Sequence, residues 1–443
     1  MFFPSLKAVN YKLLFILLLS GLIPAIYSTS RVYFLGSIPD TWAFSIAAQV
    51  AWLNVGYEVI NEAMLIPLAY ILGQVITSNT EGFTKRLNGA MVAFVAVYAA
   101  VTLSVLLLAP DMTQAMQQNR ELIEQTTHYI RLESVAIFIS SVVELCLLVL
   151  VLKDEQRKLY AFIAVKSLLI IGFDSLFVSQ LSHSLLLGVN GVAYTNIVVN
   201  SILLVCALCW FHREGLFNPK MAFNSVSWMK EWAKIGAKSG LESFVRNAAF
   251  IIMILQLVNQ VQQAGIFWVS NQFIWGWLLL PVMALGQLIK RDAACSNGLS
   301  VERVNVYFKL TGLVVLCWLL SVPLWDDFIA HIMGVSDHQQ VTDLVLLMLG
   351  FYVVFAFNNV IDSYFYGIGR TDLMLYQSLA VNTLFYGSAF VAYQLGWFEP
   401  TLEGIALMFG VGITFDAIIT IGLYRWLRAN QGYESVTTKP ALG

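Results

Sequence analysis

The sequence predicts an all-α polytopic membrane protein with twelve transmembrane helices in two pseudo-symmetric six-helix bundles around a central cavity. Of its 443 residues, 58% are hydrophobic and only 12% are charged, and the mean hydropathy is +0.73. Soluble domains contain about 25% charged residues. The apolar residues form runs that are long enough to cross a bilayer as helices. The pattern at the end of the second run recurs in the eighth, which indicates two related halves.

We predict twelve spans, each of which is an apolar run of bilayer length. They are residues 11–36, 44–76, 88–110, 127–152, 158–181, 188–212, 233–260, 264–290, 304–325, 340–367, 372–396 and 402–428. The first run is too long for the apolar core of a signal peptide and lacks a clear cleavage site, so we expect it to remain as a span. The second run is longer than a bilayer requires, and we expect it to tilt or to project.

Positive charge alternates between the loops. One set of loops contains Lys7, Lys85, Arg86, Lys153, Arg157, Lys158, Arg213, Lys220, Lys230, Lys290, Arg291, Arg303, Arg370, Arg425 and Arg428. The opposite set contains Arg120, with Arg131 near a helix end. Since loops rich in Lys and Arg face the cytoplasm, we predict a multi-pass protein of the cell membrane with both termini inside. An even number of spans agrees with that orientation.

A repeated sequence motif indicates that the chain consists of two related halves. Pro67 followed by Leu72-Gly73-Gln74 resembles Pro281 followed by Leu285-Gly286-Gln287, with 213 positions between the two Gly-Gln pairs. We therefore predict an N-terminal bundle over residues 1–212, a cytoplasmic linker over 213–232, a C-terminal bundle over 233–430 and a cytoplasmic tail over 431–443. In transporters, related halves place the binding site between them. Because proline removes a helix donor, we expect Pro67, Gly73, Pro281 and Gly286 to mark bends or hinges.

The second span carries a polar stripe. At helical spacing Asn54, Glu58 and Glu62 lie near one face, with Asn61 beside them. A carboxylate that faces lipid is costly, so the stripe should face a bundle interior or a water-filled cavity. Glu58 and Glu62 are one turn apart and repel each other. We therefore expect one of them to bind a proton, a cation or an arginine.

Two arginines lie within predicted spans. Arg31 either extends to the membrane interface or lies in the cavity, paired with Glu58 or Glu62 or in contact with an anionic substrate group. Arg246 follows Glu242 by one helical turn. This spacing allows a structural ion pair on one helix face, or a coupling role for the Glu242 carboxylate.

A further polar patch lies in span ten. Asn358 and Asp362 either contribute to a cavity or bond to the end of a neighbouring helix. Most of the other intramembrane charges we interpret as members of interhelical pairs. These are Glu133, Glu144, Lys166, Asp174 and Asp416.

Several classes of function are not expected. The sequence has no ATP-binding loop, no Ser/His/Asp set and no helix pair with metal-ligand spacing. Cys206-x-x-Cys209 lies in an apolar helix without further ligands. No basic block indicates nucleic acid. We therefore expect no enzyme and no permanently bound cofactor. We expect a monomer whose partners are membrane lipids and a small organic solute.

Three short motifs, together with the Gly-Gln endings, resemble those of the multidrug and toxic compound extrusion (MATE) transporters. They are Gly188-Val-Asn-Gly191-Val-Ala, Leu402-Glu-Gly404-Ile-Ala and Gly367-Ile-Gly369-Arg370-Thr-Asp372. The resemblance covers about residues 10–430. It implies a secondary transporter that exports an organic solute or drug by alternating access, in exchange for Na⁺ or H⁺. The wider superfamily includes lipid-linked saccharide flippases, so the substrate stays open.

The chain departs from this family at two charged positions. Many members carry an acid in span one and another in span seven, where an ungapped alignment places Arg31 and Arg246. If these arginines are open to the cavity, the resemblance implies an exporter of organic anions, or a flippase that grips phosphate. If they are locked in ion pairs, cationic drugs remain candidates. We favour locked pairs, because an unpaired buried charge is costly.

Overall fold

A computed structural model describes residues 9–40, 42–73, 75, 80–153, 155–216, 227–295 and 298–437, without the side chains of residues 70, 80, 156, 242, 294, 295, 371 and 431–437. Within these ranges all regular structure is helical. Ten of the described helices are long and apolar enough to cross a membrane, and a bent pair adds an eleventh. The predicted all-α, multi-span fold class is confirmed.

The helices follow the twelve predicted spans in order. We label them α1 (Tyr11–Gly36), α2 (Val50–Gly73), α3 (Thr80–Ala115), α4 (Ile123–Leu152), α5 (Gln156–Phe177), α6 (Asn190–Arg213), α7 (Ser227–Phe250), α8 (Leu280–Cys295), α9 (Val301–Ser321), α10 (His338–Gly367), α11 (Thr371–Ala380) and α12 (Leu402–Thr437). Wide π-type turns extend three of them. They continue α7 through Ile251–Leu255 to Gln256–Gln260, join Ala264–Phe273 to α8 at Ile274–Leu278, and continue α11 through Val381–Tyr386 to Gly387–Gln394.

The eighth span is bent beside its proline. Its two pieces, Ala264–Leu278 and Leu280–Ala293, meet at 51°. Pro281 lies in the first turn of the second piece, where its missing donor and fixed φ are compatible with a new helix start. By contrast, α2 continues through Pro67 without a break.

The two predicted hinge glycines have different surroundings. A Cβ on Gly286 would lie 2.7 Å from Ser363 Oγ and 2.8 Å from Asn359 Nδ2, so this glycine allows α8 and α10 to approach closely. Among the described residues, a Cβ on Gly73 would meet the side chain of Leu152 alone, at 4.0 Å. Gln74, which follows Gly73, lies outside the described residues.

The chain forms two compact units. Over the described residues, one unit lies within 9–25, 270–329 and 337–437, and the other within 26–269 and 330–336. In the first, an apolar core includes Leu288, Tyr307 and Phe365. These units are defined by packing, whereas the predicted bundles are defined by a repeated sequence motif. The bundles over 1–212 and 233–430 therefore stay a prediction. Within the predicted linker and tail, residues 217–226 and 438–443 lie outside the described part of the chain.

The seventh helix begins earlier than the predicted residue 233. It already includes Ser227, the first residue that the structure describes after position 216, and its first described turns are packed. Trp228 and Trp232 are buried and stack with their ring centroids 5.8 Å apart. Trp232 also donates from Nε1 to the carbonyl oxygen of Met64 at 2.9 Å, which joins the start of α7 to α2.

Glycines bring α7 against α2. A Cβ on Gly236 would collide with the carbonyl oxygen of Ala63, and one on Gly240 would lie 2.7 Å from Ala63 Cβ. Without larger side chains between them, the two backbones can approach closely, as is common at helix interfaces in membranes. Because of this close contact, charged residues of the two helices lie near each other.

We predict that Gly236→Ala lowers the thermal stability of the detergent-solubilised protein. The added methyl group would overpack the α2–α7 contact, which costs about 1–3 kcal/mol. Gly172→Ala in α5 is the matched control, because a Cβ there meets no described atom within 4 Å. The control should gain up to about 1 kcal/mol from helix propensity. Equal melting temperatures for the two variants would contradict the contact.

Candidate functional site

Arg31 forms a bidentate ion pair with Asp174. Its Nε lies 2.8 Å from Asp174 Oδ2, and its Nη2 lies 3.2 Å from Oδ1. The Asp174 side chain is 1% exposed. Arginine suits this position because its planar fork binds both carboxylate oxygens and its charge is permanent. The predicted pairing of Arg31 with Glu58 or Glu62 of α2 is therefore wrong, because its partner carboxylate belongs to α5.

Two further spans complete this cluster. Glu133 of α4 is buried and accepts from Asn196 Nδ2 of α6, at 2.9 Å to Oε1 and 3.1 Å to Oε2. Glu133 also interacts electrostatically with Arg31. We call Arg31, Glu133, Asp174 and Asn196 the Arg31 cluster. It joins α1, α4, α5 and α6 through one permanent cation and two acidic side chains.

Arg246 joins the seventh helix to the second. Its Nη2 lies 2.6 Å from Glu62 Oε1 and 3.9 Å from Glu58 Oε1. The arginine thus provides the partner that two repelling carboxylates one turn apart were expected to need. The Glu242 side chain lies outside the described residues. We call Glu58, Glu62 and Arg246 the Arg246 cluster.

The polar stripe in α2 also contains two asparagines. Asn61 donates from Nδ2 to Glu144 Oε2 of α4 at 3.1 Å, while Asn54 is exposed. Glu144 also interacts electrostatically with Lys166 of α5. These contacts agree with the interpretation of Glu144, Lys166 and Asp174 as members of interhelical pairs. Helix α2 therefore presents acidic residues to α7 and an amide to α4.

A third cluster joins α10, α11 and α12. Asn358 donates from Nδ2 to Asp362 Oδ2 at 3.1 Å and to Asp416 Oδ2 at 2.9 Å. Gln377 donates from Nε2 to Asp416 Oδ1 at 2.7 Å. Sequence reasoning missed Gln377, although a lone amide in the apolar run of α11 was a signal. We call Asn358, Asp362, Gln377 and Asp416 the Asp416 cluster.

The side chains of the three clusters are suited to binding ions, protons and polar solutes rather than to covalent catalysis. They consist of carboxylates, amides and guanidinium groups, which bind ions, protons and polar solutes. Among the described residues, no group of three or more His, Cys, Asp or Glu side chains is placed to hold a metal ion.

We predict that Asp174→Asn destabilises the protein by about 3–5 kcal/mol, because it leaves Arg31 without its carboxylate in a buried site. Replacing both partners, as in Arg31→Met with Asp174→Leu, should recover much of that loss. Thermal unfolding of the solubilised variants measures both effects.

The control is a more exposed pair, Arg370 and Asp372, with Nη2 and Oδ2 2.8 Å apart. Asp372→Asn should cost no more than about 1 kcal/mol, as is usual for surface pairs. A double variant at 31 and 174 that is less stable than Asp174→Asn would contradict this account of the buried pair.

Neither a protein-family model nor a curated protein matches the sequence. Solved structures do match. A multidrug resistance MATE family transporter of the MOP superfamily, in an inward-facing conformation, is 15% identical with a TM-score of 0.73, and the match covers 94% of this chain and 96% of that one. A MATE transporter from Vibrio cholerae is 15% identical with a TM-score of 0.64, over 97% and 98% of the two chains.

A further match is an MOP superfamily transporter from Pyrococcus furiosus, whose reversed binding-pocket polarity suggests a different function for that protein. It is 16% identical with a TM-score of 0.66, and the match covers 96% of this chain and 97% of that one. At these identities the similarity establishes the fold. The predicted resemblance to MATE transporters is therefore confirmed at the level of the fold.

Proposed function

We propose that this protein is a secondary active transporter of the MATE type, which exports an organic solute or drug by alternating access in exchange for Na⁺ or H⁺. Beside the fold, the Arg246 cluster is the observation that supports the proposal most directly. Two acidic side chains of α2 share one arginine of α7. With both carboxylates ionised, these three groups have one negative charge in excess. Such an excess attracts a proton, a metal cation or a cationic solute.

Exchange follows if these ligands compete for the same carboxylates. A carboxylate that holds a proton or Na⁺ no longer attracts a cationic solute, so loading one ligand favours release of the other. The free energy for export would come from an ion gradient, because the sequence has no ATP-binding loop. Bends such as the one beside Pro281 would help the helices rearrange between access states.

The pairing of the arginines supports a cationic or neutral substrate. Arg31 is bound by both oxygens of Asp174, and Arg246 is bound by Glu62. A guanidinium in a tight ion pair presents little positive charge to a solute. Multidrug-type export is therefore the first proposal. We further propose a monomer in the cell membrane with both termini in the cytoplasm, as the loop charges favour.

An exporter of organic anions, or a flippase for lipid-linked saccharides, is the second candidate. It is favoured by arginines at two positions where many MATE transporters have acids. The reversed pocket polarity of the Pyrococcus furiosus structure offers a parallel case in this fold. In this alternative the ion pairs open during transport, and each guanidinium binds a carboxylate or phosphate of the substrate.

We predict that Glu58→Gln combined with Glu62→Gln abolishes or strongly weakens ion-driven export while leaving folded protein in the membrane. An amide keeps the size of the side chain but cannot cycle a proton or balance a cation. Substrate flux into inverted vesicles under imposed Na⁺ and H⁺ gradients measures the effect.

Glu81→Gln is the matched control for this loss. Glu81 is a glutamate that pairs with Lys85 at 2.7 Å on an exposed helix surface. The control should transport normally. Unchanged flux with unchanged Na⁺ and pH dependence in the double variant at 58 and 62 would exclude coupling through these carboxylates.

We also predict that an organic cation is transported and that Arg31→Ala with Arg246→Ala does not abolish its transport per molecule of folded protein in the membrane, the basis on which this less stable variant is compared. The physical reason is that arginines locked in ion pairs do not bind the substrate directly. Parallel uptake of a cationic dye and an organic anion into inverted vesicles tests this. Transport of the anion alone, lost in the double arginine variant, would favour the second candidate.

A further inference from the structure

A cavity of about 630 Å³ lies where the end of α3 meets the start of α4. Pro110 of α3 lines it, together with Arg120, Glu124, His128 and Arg131. The last four residues follow one another at steps of four, four and three, so they lie on one face of α4 and of the turn before it. Since the third predicted span ends at residue 110, the cavity lies at the level of the lipid headgroups. We call it the α3–α4 cavity.

The positive charge of this cavity is unusual for its side of the membrane. Arg120 and Arg131 are the lysine and arginine content of the loops that the charge pattern assigns to the outer face. That face is normally depleted of these residues, yet both arginines line one cavity. Over the described residues, no carboxylate lies within salt-bridge distance of either guanidinium. With Glu124 counted, the lining residues have one positive charge in excess.

A proline in α3 holds Arg131 at the cavity. Helix α3 continues through Pro110, which has no N–H to donate to the carbonyl oxygen of Leu106 one turn earlier. Arg131 donates from Nε to that oxygen instead, at 3.0 Å. This bond fixes the guanidinium group. In the described part of the chain no other acceptor bonds to it, so both terminal NH₂ groups can bind a ligand.

A buried hydroxyl in the same cavity has no partner. Thr127 lines the cavity and is 6% exposed. A helical threonine often bonds back to the carbonyl oxygen four residues earlier, as Thr342 does to His338 at 2.8 Å. Among the described residues, Thr127 Oγ1 bonds to no group. An unsatisfied buried hydroxyl is unfavourable, so a ligand with an acceptor at this point would be stabilised.

An apolar surface continues from the cavity along α3. Leu103, Leu107 and Pro110 are spaced by four and three residues and therefore lie on one face of the helix. Leu103 and Leu107 are exposed, and they lie farther from the end of α3 than Pro110 does. The leucines thus extend from headgroup level toward the middle of the bilayer. A ligand that fits both surfaces has an anionic head and apolar chains.

We propose that the α3–α4 cavity binds the headgroup of a phospholipid with a negative net charge, in the leaflet opposite the cytoplasm. Arg120 and Arg131 bind the phosphate oxygens, because guanidinium groups match phosphate in shape and charge. The Thr127 hydroxyl donates to the phosphate, and Glu124 accepts from hydroxyl groups of the head. One negative charge balances the excess of the lining residues. Lipid binding here is independent of the proposed transport function.

The first test measures the unmodified protein after delipidation in detergent. Native mass spectrometry at low lipid-to-protein ratio is compared for phosphatidylglycerol, phosphatidylethanolamine and phosphatidylcholine, alongside thermal unfolding in each lipid. We expect one tightly retained phosphatidylglycerol and a higher melting temperature with that lipid, because a ligand of the folded state stabilises it. Equal retention of the three lipids would overturn the assignment of a negative net charge. No retained lipid would overturn the site.

Inorganic phosphate distinguishes a lipid from a small anion. Because it lacks the chains that would lie along Leu103 and Leu107, millimolar sodium phosphate should neither raise the melting temperature as phosphatidylglycerol does nor displace it. An equal rise with phosphate alone would show a site for a free anion and would overturn the lipid assignment.

The second test uses variants of the arginines. Arg120→Gln and Arg131→Gln should each weaken phosphatidylglycerol binding by about 10-fold or more, the usual loss for one hydrogen bond to a charged group. Arg157→Gln is the matched control, since Arg157 is an exposed arginine at the start of α5, in the opposite set of loops. The control should retain the lipid. Unchanged affinity in both variants of the cavity would overturn the site.

A third variant separates lipid binding from a structural role. Thr127→Val removes the unpartnered hydroxyl, so without lipid its melting temperature should equal or exceed that of the unmodified protein, while phosphatidylglycerol should stabilise it less. Thr113→Val is the control, because Thr113 Oγ1 is also buried and unpartnered among the described residues but does not line the cavity. Undiminished lipid stabilisation of Thr127→Val would overturn the assignment to this cavity. None of these measurements requires transport, so their failure would leave the proposed function standing.

Discussion

The main constraint on this protein is the cost of a charged side chain inside the bilayer. Each charge there needs a partner, and the partner is usually on another helix. Arg31 finds Asp174 on α5, and Arg246 finds Glu62 on α2. These ion pairs join spans that are far apart in sequence. The apolar surface of a span gives it little preference for one neighbour, so polar contacts and small residues carry much of the specificity.

Helix α2 illustrates how this constraint determines packing. One side packs against α7, where glycines allow close approach and bring Arg246 to the α2 carboxylates. Another side bonds to α4 through Asn61 and Glu144. Polar contacts therefore hold this helix on two sides. Protonation or cation binding at Glu58 or Glu62 would therefore alter the contact between α2 and α7, which is how a local charge can bias a global rearrangement.

Sequence reasoning identified the groups better than it identified their pairings. The repulsion between Glu58 and Glu62 indicated that one of them needs a proton, a cation or an arginine, and Arg246 is that arginine. Most of the remaining intramembrane charges were assigned to interhelical pairs, and Asp174 is in one with Arg31. However, α2 was the wrong source of the partner for Arg31. Gln377 was missed, because a single amide in an apolar helix marks a buried polar position but no sequence pattern shows which side chain it bonds to.

Composition, run length and loop charge were sufficient to predict the all-α membrane class and its many spans, because bilayer thickness limits the length of a span and burial limits its charge. The predicted number was twelve, and among the described residues ten helices, or eleven with the bent pair, are long and apolar enough to span. The bend in the eighth span lies beside Pro281, but α2 continues through Pro67 without a break, so a proline marks a possible bend and tertiary packing decides whether the helix bends there. The partner of each buried charge depends on which helices are neighbours. That is a long-range property, and one sequence does not encode it in any short pattern. Only the tertiary structure could place Asp174 against Arg31, or gather Asn358, Gln377 and Asp416 from three helices.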